Sequence, residues 1–347
     1  MLATFLRARW RCRAARGLRL APVALRRLIV PRLKSQPGAE ASLQLALPDP
    51  AWGRPALMYF GSRGPLQKVT VLLLQPDGKQ AWVSKIALRS SADASVENEA
   101  NWLRRLQDIK SLRDALPELV SQGLLPSGRS YLTVSAWQMG GASLAFTAAH
   151  GAFLAALCAE TLQWQRWADH PLRHRLAAEI ARLQARSAVS EIRLLAEAWQ
   201  NLLSEADDQR RMPSCVVHGD FAPWNTSRHV HDGAEQLRVF DWEYAHDGGS
   251  PLTDFFHFHL IQLALNRADG PHLGHQLETV ILPAAQRQLV ASLGAESGQV
   301  QAALAWYLKL YLIETLSFYL THSDDLSVEH SIVTGYATLL RRCLARS

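Results

Sequence analysis

Three oxygen-bearing side chains in one stretch of the chain have the types and spacing to act together: Asp220, Asn225 and Asp241. They lie in SCVVHGDFAPWNTSRHVHDGAEQLRVFDWEYAHDGGS, residues 214–250. Two strand-like runs, Cys215–His218 and Leu237–Asp241, each lead to a carboxylate, and Asn225 sits in the loop between them. Held at strand ends and in one loop, the three would converge. A small set of hard oxygen ligands suits Mg²⁺, which keeps several waters and takes substrate phosphates into the rest of its shell. Phosphoryl transfer needs such an ion, because metal and positioning together neutralise charge on the moving group. The order His-Gly-Asp-x-x-x-x-Asn, then a strand ending Phe-Asp-Trp-Glu, is far more specific than an isolated Asp/Asn trio.

The elements that would position these groups are legible upstream and downstream. Ala56–Phe60 is a short apolar run broken by Gly61-Ser62-Arg63-Gly64-Pro65. Lys68–Gln75 and Ala81–Leu88 read as strands joined by a turn at Pro76-Asp77-Gly78-Lys79, since Asp-Gly tolerates the positive φ of tight hairpins. Ser91–Leu106 has helical spacing, with Ser91 or Asp93 as N-cap and Val96, Leu103 and Leu106 on one apolar side. Strand-like stretches follow at Leu119–Gln122 and Tyr131–Ala136, around a Pro-Ser-Gly turn. Beyond Gly140 the pattern is mainly helical, over 144–168, 171–206, 252–267, 273–293, 299–323 and 328–346. The expected class is α+β: a small β-rich lobe, 50–138, then a larger helical lobe, 139–347, behind a basic tail and linker, 1–49.

His218-Gly219-Asp220-Phe221-Ala222-Pro223-Trp224-Asn225 resembles the catalytic loop of the aminoglycoside phosphotransferase and choline kinase family of protein-kinase-like enzymes, and Asp241 in VFDWE resembles their second metal-binding aspartate. Lys85 in VSKIAL matches the lysine that holds the nucleotide α- and β-phosphates, and Glu99 in ENEANWLRRL the helix glutamate paired with it. YLTVSAWQMGG resembles the segment joining the lobes, where the backbone near Ala136 and Trp137 would meet adenine. Gly249-Ser250-Pro251-Leu252-Thr253-Asp254 matches the G-x-P-x-x-D stretch that follows. The resemblance spans about residues 56–260. It implies a bilobal protein-kinase-like fold using ATP and Mg²⁺, with Asp220 orienting and deprotonating an acceptor hydroxyl and Asn225 and Asp241 holding the metal. Gly61, Ser62 and Gly64 would cover the phosphates, although the chain has no G-x-G-x-x-G there.

Each of these residues has a plainer reading. Lys85 alone would be a solvent-facing strand lysine. Glu97 rivals Glu99 from another helix face, and Glu99 is preferred because Leu103 and Leu106 follow at i+4 and i+7. His218 reads as packing and Asp254 as a carboxylate bracing the loop from a helix N-terminus. Trp224 and Trp242 fit either an acceptor pocket or the core. His257 and His259, two apart on an expected helix, cannot share a metal, and His229 and His231 sit beside a hairpin tip. No Walker-type G-x-x-x-x-G-K-[ST] is present, and Gly248–Leu252 lacks the final glycine of a hydrolase nucleophile elbow.

Composition narrows the partners. The 347 residues are 48% hydrophobic and 20% charged, which excludes a disordered or fibrous chain. No 18-residue apolar run exists, and Cys12, Cys158, Cys215 and Cys343 form no CxxC, which suits a reducing, cytoplasmic setting. Residues 1–38 carry nine Arg, one Lys and no acid; the whole chain is +6, so the rest is −4. The basic charge belongs to the tail, which argues against a nucleic-acid-binding face on the body. Three readings of the tail stand: a solvated extension, an interfacial segment on an anionic inner membrane face, or a transit peptide. The expected activity is phosphorylation of a hydroxyl on a small aminoglycoside-, sugar- or choline-like acceptor. The alternatives are a membrane-associated kinase of a lipid-linked precursor and a nucleotide-binding pseudokinase scaffold.

Overall fold

Alternation in the first strands decides the architecture of the β-rich unit. The computed structural model describes residues 54–61, 64, 66–74, 81–136, 145–231, 234–265, 274–294, 304–322 and 331–345. Strands β1 (Arg54–Phe60), β2 (Lys68–Leu74), β3 (Ala81–Ala87), β4 (Leu119–Leu124) and β5 (Ser130–Ala136) form one antiparallel sheet in the order β1-β2-β3-β5-β4. On β2, Val69, Val71 and Leu73 are buried while the residues between them are half-buried. With Ile86 and Leu125, and with Trp82 and Tyr131 packed against them, they form one cluster, as a strand period of two requires. The turn at Pro76–Lys79 lies outside the described residues, as do the tail and linker, 1–49.

Helix α1 (Ser90–Gln107) follows β3. Ala92, Val96, Ala100, Leu103 and Leu106 make its buried stripe, and Glu99 falls inside that stripe. Asp93 is not the expected N-cap. The helix begins at Ser90, and the Asp93 carboxylate instead accepts the backbone N–H of Ser130 at 2.9 Å and Arg129 Nη1 at 2.6 Å.

Two compact units result. One comprises the chain up to Asn101 together with Glu118–Trp137, the other Trp102–Pro117 together with Gln138–Ser347. Residues 102–117, grouped with the first lobe by their position in the sequence, thus belong to the second unit. There Arg105 pairs with Asp247, Ser111 donates to Glu160, and Leu112 and Leu116 are buried.

The second unit is mostly helical: α2 (Ala148–Thr161), α3 (Pro171–Arg186), α4 (Ser190–Glu205), α5 (Thr253–Leu265), α6 (Leu282–Leu293), α7 (Leu304–His322) and α8 (Ser331–Leu344). The middle of α7, Tyr307–Ser317, is buried on every side, with α3, α4 and α8 packed against it. The helix expected over 144–168 ends at Thr161, and Gln163–Arg166 is instead strand β6, hydrogen-bonded to β7 (Arg211–Val217). The helix expected over 171–206 is two. The stripe Leu172, Leu176, Ile180, Leu183 ends where Ser187 turns extended, and a new stripe begins at Ile192 and Leu195.

β7 is the middle strand of the sheet β10-β7-β6, buried from Met212 to Val217, and β10 is His246–Gly249. A hairpin, β8 (Thr226–His231) and β9 (Ala234–Val239), follows, with Thr226 opposite Val239 at its open end. Asp232 and Gly233, at its tip, lie outside the described residues. No described helix is long and apolar enough to cross a membrane.

Candidate active site

In the β-rich unit, the site residues are set by the central strand β3. Lys85 stands opposite Thr70 on one neighbour and Leu132 on the other, on the face away from buried Ser84 and Ile86. Its Nζ donates to both oxygens of Glu99, at 2.7 and 2.6 Å. The glutamate side chain is 2% exposed and that of Lys85 15%. A carboxylate in an apolar stripe needs such a partner, because an unpaired buried charge costs several kcal/mol, of order 3–5 when a buried pair is broken. Glu97, the rival, is exposed and accepts from Ser130 Oγ at 2.6 Å.

Of the expected phosphate-covering loop, Gly61 and Gly64 are described, and both bond to the residues that follow. Gly61 N–H donates to Lys68 O at 2.9 Å, Gln67 N–H to Gly64 O at 3.2 Å, and Gln67 Nε2 to Gly61 O at 3.3 Å. Ser62 lies outside the described residues. Ala136 closes β5 opposite Ala81, while Trp137 also lies outside the described residues.

In the helical unit, β7 delivers the loop His218-Gly219-Asp220. Gly219 has φ +78°, and a Cβ there would lie 2.4 Å from the Tyr244 carbonyl oxygen, so only glycine fits. Asp254, at the start of α5 and 4% exposed, accepts the backbone N–H of His218 at 2.7 Å and of Gly219 at 3.1 Å. Burial pushes its carboxyl pKa up, against the pull of His218 and these N–H groups. It is therefore a brace for the loop, as expected. His218 is a packed residue: its Nδ1 accepts the Asp220 N–H at 3.2 Å and its Nε2 lies 3.1 Å from Phe240 O, which requires the Nε2–H tautomer. Trp242, fully buried and 4.6 Å from the His218 ring, belongs to the core; Trp224 is half-buried.

Asn225 Nδ2 donates to Asp220 twice, to the backbone O at 2.9 Å and to Oδ2 at 2.8 Å. Phe240 N–H donates to Asn225 O at 3.1 Å across the open end of the hairpin, so Asp241 follows directly beside Asn225 in the fold. Asp241 has φ 74° and ψ 57°, the one non-glycine with positive φ among the described residues. Backbone strain of this kind costs about 1–3 kcal/mol and collects at functional positions. With Nδ2 committed to Asp220, Asn225 offers its amide oxygen, and Asp241 offers a carboxylate. That donor chemistry fits a hard cation bound through few protein ligands. No cluster of three or more His, Cys, Asp or Glu that could hold a metal exists among the described residues.

His257 was missed as a site residue. Its Nε2 lies 3.0 Å from Asp220 Oδ1. The signal was present in the spacing, since Asp254 and His257 are three apart on α5 and so share a face toward one loop.

The sequence profile of the phosphotransferase enzyme family matches residues 68–279, more than half the chain and both sets of residues just described. The chain belongs to this family. It is a small-molecule kinase, a phosphotransferase with a hydroxyl acceptor. A comparison with curated protein sequences finds no match. Among solved structures it is similar to the GDP complex of wild-type aminoglycoside 2'-phosphotransferase-IIIa, with TM-score 0.54, 13% identity, and 89% of this chain and 98% of that one covered. It is also similar to a thermostable mutant of aminoglycoside phosphotransferase APH(4)-Ia in a ternary complex with ADP and hygromycin B (0.51, 15%, 85% and 94%). A protein of Ralstonia eutropha described as an aminoglycoside phosphotransferase matches at 0.52 and 12%, covering 88% and 98%. At these identities the likeness is one of fold, and that fold is the protein-kinase-like one, with a β-rich and a mainly helical part.

Proposed function

We propose that this phosphotransferase moves the γ-phosphoryl group of ATP, with Mg²⁺, to a hydroxyl of a small non-protein acceptor of the aminoglycoside, sugar or choline type. The observation that carries the reading is the Asn225–Asp220 link, 2.8 Å, which fixes one carboxylate oxygen; the carboxylate would then face a hydroxyl and the Asn225 amide oxygen a cation. Lys85, held by Glu99, would take the α- and β-phosphates; Gly61, Ser62 and Gly64 would lie over them, and the backbone at Ala136 and Trp137 would meet the base. Asp220 would accept the hydroxyl proton as the new O–P bond forms and the bond to the β-phosphate oxygen breaks, leaving ADP. Asn225 and Asp241 would hold Mg²⁺, which when bound offsets charge on the transferred group. Catalysis would then rest on positioning and electrostatics without a covalent enzyme intermediate. Solved relatives named as complexes with ADP and hygromycin B, or with GDP, support a nucleotide donor and a small acceptor.

The test uses γ-labelled ATP or GTP, Mg²⁺ and a fractionated cell extract, comparing wild type with Asp220→Asn. Label in a water-soluble small molecule with wild type alone supports the reading and delivers the acceptor. Label in the organic phase replaces the acceptor class with a membrane-linked one. Mg-nucleotide binding without wild-type-specific label overturns it in favour of a scaffold.

A further inference from the structure

We propose that His257 is a positioning residue for the Asp220 carboxylate, itself held in one tautomer by the buried hydroxyls of Tyr311 and Tyr336. The inference rests on the kinase reading, in which Asp220 receives the acceptor hydroxyl. His257 is 4% exposed, Tyr311 1% and Tyr336 0%. Tyr311 Oη lies 3.2 Å from His257 Nδ1 and 2.8 Å from Tyr336 Oη. Three elements thus meet behind the catalytic loop: α5 with the imidazole, α7 with Tyr311, α8 with Tyr336.

Counting hydrogens orders the chain. An ionised carboxylate can only accept, so the His257 nitrogen facing Oδ1 carries the hydrogen. With the hydrogen on Nε2 alone, as we propose, Nδ1 accepts and Tyr311 O–H donates to it. The Tyr311 oxygen in turn accepts from Tyr336 O–H. Each member has one role, and the direction ends on the catalytic carboxylate. Asp220 therefore has one fixed donor on each oxygen, Asn225 on Oδ2 and His257 on Oδ1. Two donors from different segments fix the carboxylate plane, and one lone pair on each oxygen stays available to the acceptor. Removing such outer partners of a working group costs about 10- to 100-fold in activity.

The experiment uses the full chain, with Mg-ATP hydrolysis, water as acceptor, for kcat and KM, and long-range ¹H–¹⁵N spectra of the His257 ring. His257→Ala is expected to lower kcat about 10- to 100-fold with KM for ATP unchanged, and His257→Gln, which returns an N–H near the Nε2 position, to recover most of it. Tyr311→Phe is expected to lower kcat a few-fold and to disturb the ring signal, which in wild type reports a neutral ring protonated on Nε2. A structural role alone would lower the melting temperature and leave kcat of the folded variant unchanged. Equal kcat in wild type and Tyr311→Phe, with an Nδ1–H or doubly protonated wild-type ring, overturns the proposal even if His257→Ala fails to fold, as does a His257→Gln variant no more active than a folded His257→Ala. Wild type that neither binds nor turns over Mg-ATP overturns the kinase reading first, and the positioning role with it.

Discussion

The Lys85–Glu99 pair and the Asp220 loop solve the placement of a charged side chain in opposite ways. In the β-rich unit, a strand lysine and a helix glutamate meet in one bidentate contact, with the glutamate inside an apolar stripe. In the helical unit, Asp220 is tied through Asn225, His257, His218 and the Asp254 brace to the hairpin, to α5 and to Phe240. The first arrangement concentrates the energetics in two residues, so loss of the lysine strands the buried glutamate charge. The second spreads them over a network, so the loop keeps its shape when one member goes, while the chemistry depends on one atom group. Stability should therefore be most sensitive in the β-rich unit and turnover in the helical one.

The largest effect expected is on turnover. Asp220→Ala removes the proton acceptor and should lower transfer by about 100- to 10,000-fold, while Mg-ATP binding by titration stays near wild type. Substantial transfer by the variant would break the contrast at its base. Next comes the β-rich pair. Lys85→Ala leaves Glu99 buried and unpaired, and should destabilise by roughly 3–5 kcal/mol in denaturant unfolding. The double change Lys85→Met with Glu99→Leu removes both charges and should regain most of that stability, yet stay inactive. If single and double variants unfold alike, the pair is not what holds the helix against the sheet.

Much of this contrast was legible in the order of residues, because it is local. His-Gly-Asp-x-x-x-x-Asn lies in one loop, the β2–β3 alternation announces its own sheet, and Glu99 stands out as a charge on an apolar helix face. What escaped was long-range. That Asp93 would brace Ser130 rather than cap its own helix depends on a strand 37 residues away. That His257 would reach Asp220, with Tyr311 and Tyr336 behind it, depends on how α5, α7 and α8 pack, and the middle of α7 is buried on every side and so shows no single apolar face. The break between α3 and α4 was hidden for a related reason, since Ser187–Val189 contains neither Gly nor Pro to signal it.

Acid should separate the two regions. Burial lowers the pKa of His150 and of His170 to about 4, and both belong to the helical unit. Each nitrogen acceptor is in use, since His150 Nδ1 takes the Thr147 N–H and His170 Nδ1 the Leu172 N–H. An unfolded histidine takes up its proton near pH 6.5, the folded ones only near 4, so stability is fully present above 6.5 and is lost as pH falls toward 4. Each site contributes a slope of up to about 1.4 kcal/mol per pH unit in that window. Hydrogen exchange at pH 7 and pH 5 should show protection falling in α2 and α3 while α1 and the first sheet change less. The opposite order would place the acid-sensitive groups elsewhere.

The smallest effect tests whether the β-rich unit is sensitive because of its ion pair or because α1 must be docked at all. Asp93 holds the first turn of α1 to β5 through the Ser130 N–H and the partly exposed Arg129. Asp93→Ala leaves one backbone donor short of a partner and loosens one half-exposed charge pair, a cost of about 1 kcal/mol. Glu99, nearly two turns further along the helix, keeps its contact with Lys85 on β3, so turnover should stay within about two-fold of wild type. A drop in turnover matching that of Lys85→Ala would mean that helix placement, rather than the buried pair, governs the nucleotide half. Unchanged turnover with the small stability loss would leave Lys85 and Glu99 as the two residues on which that half depends.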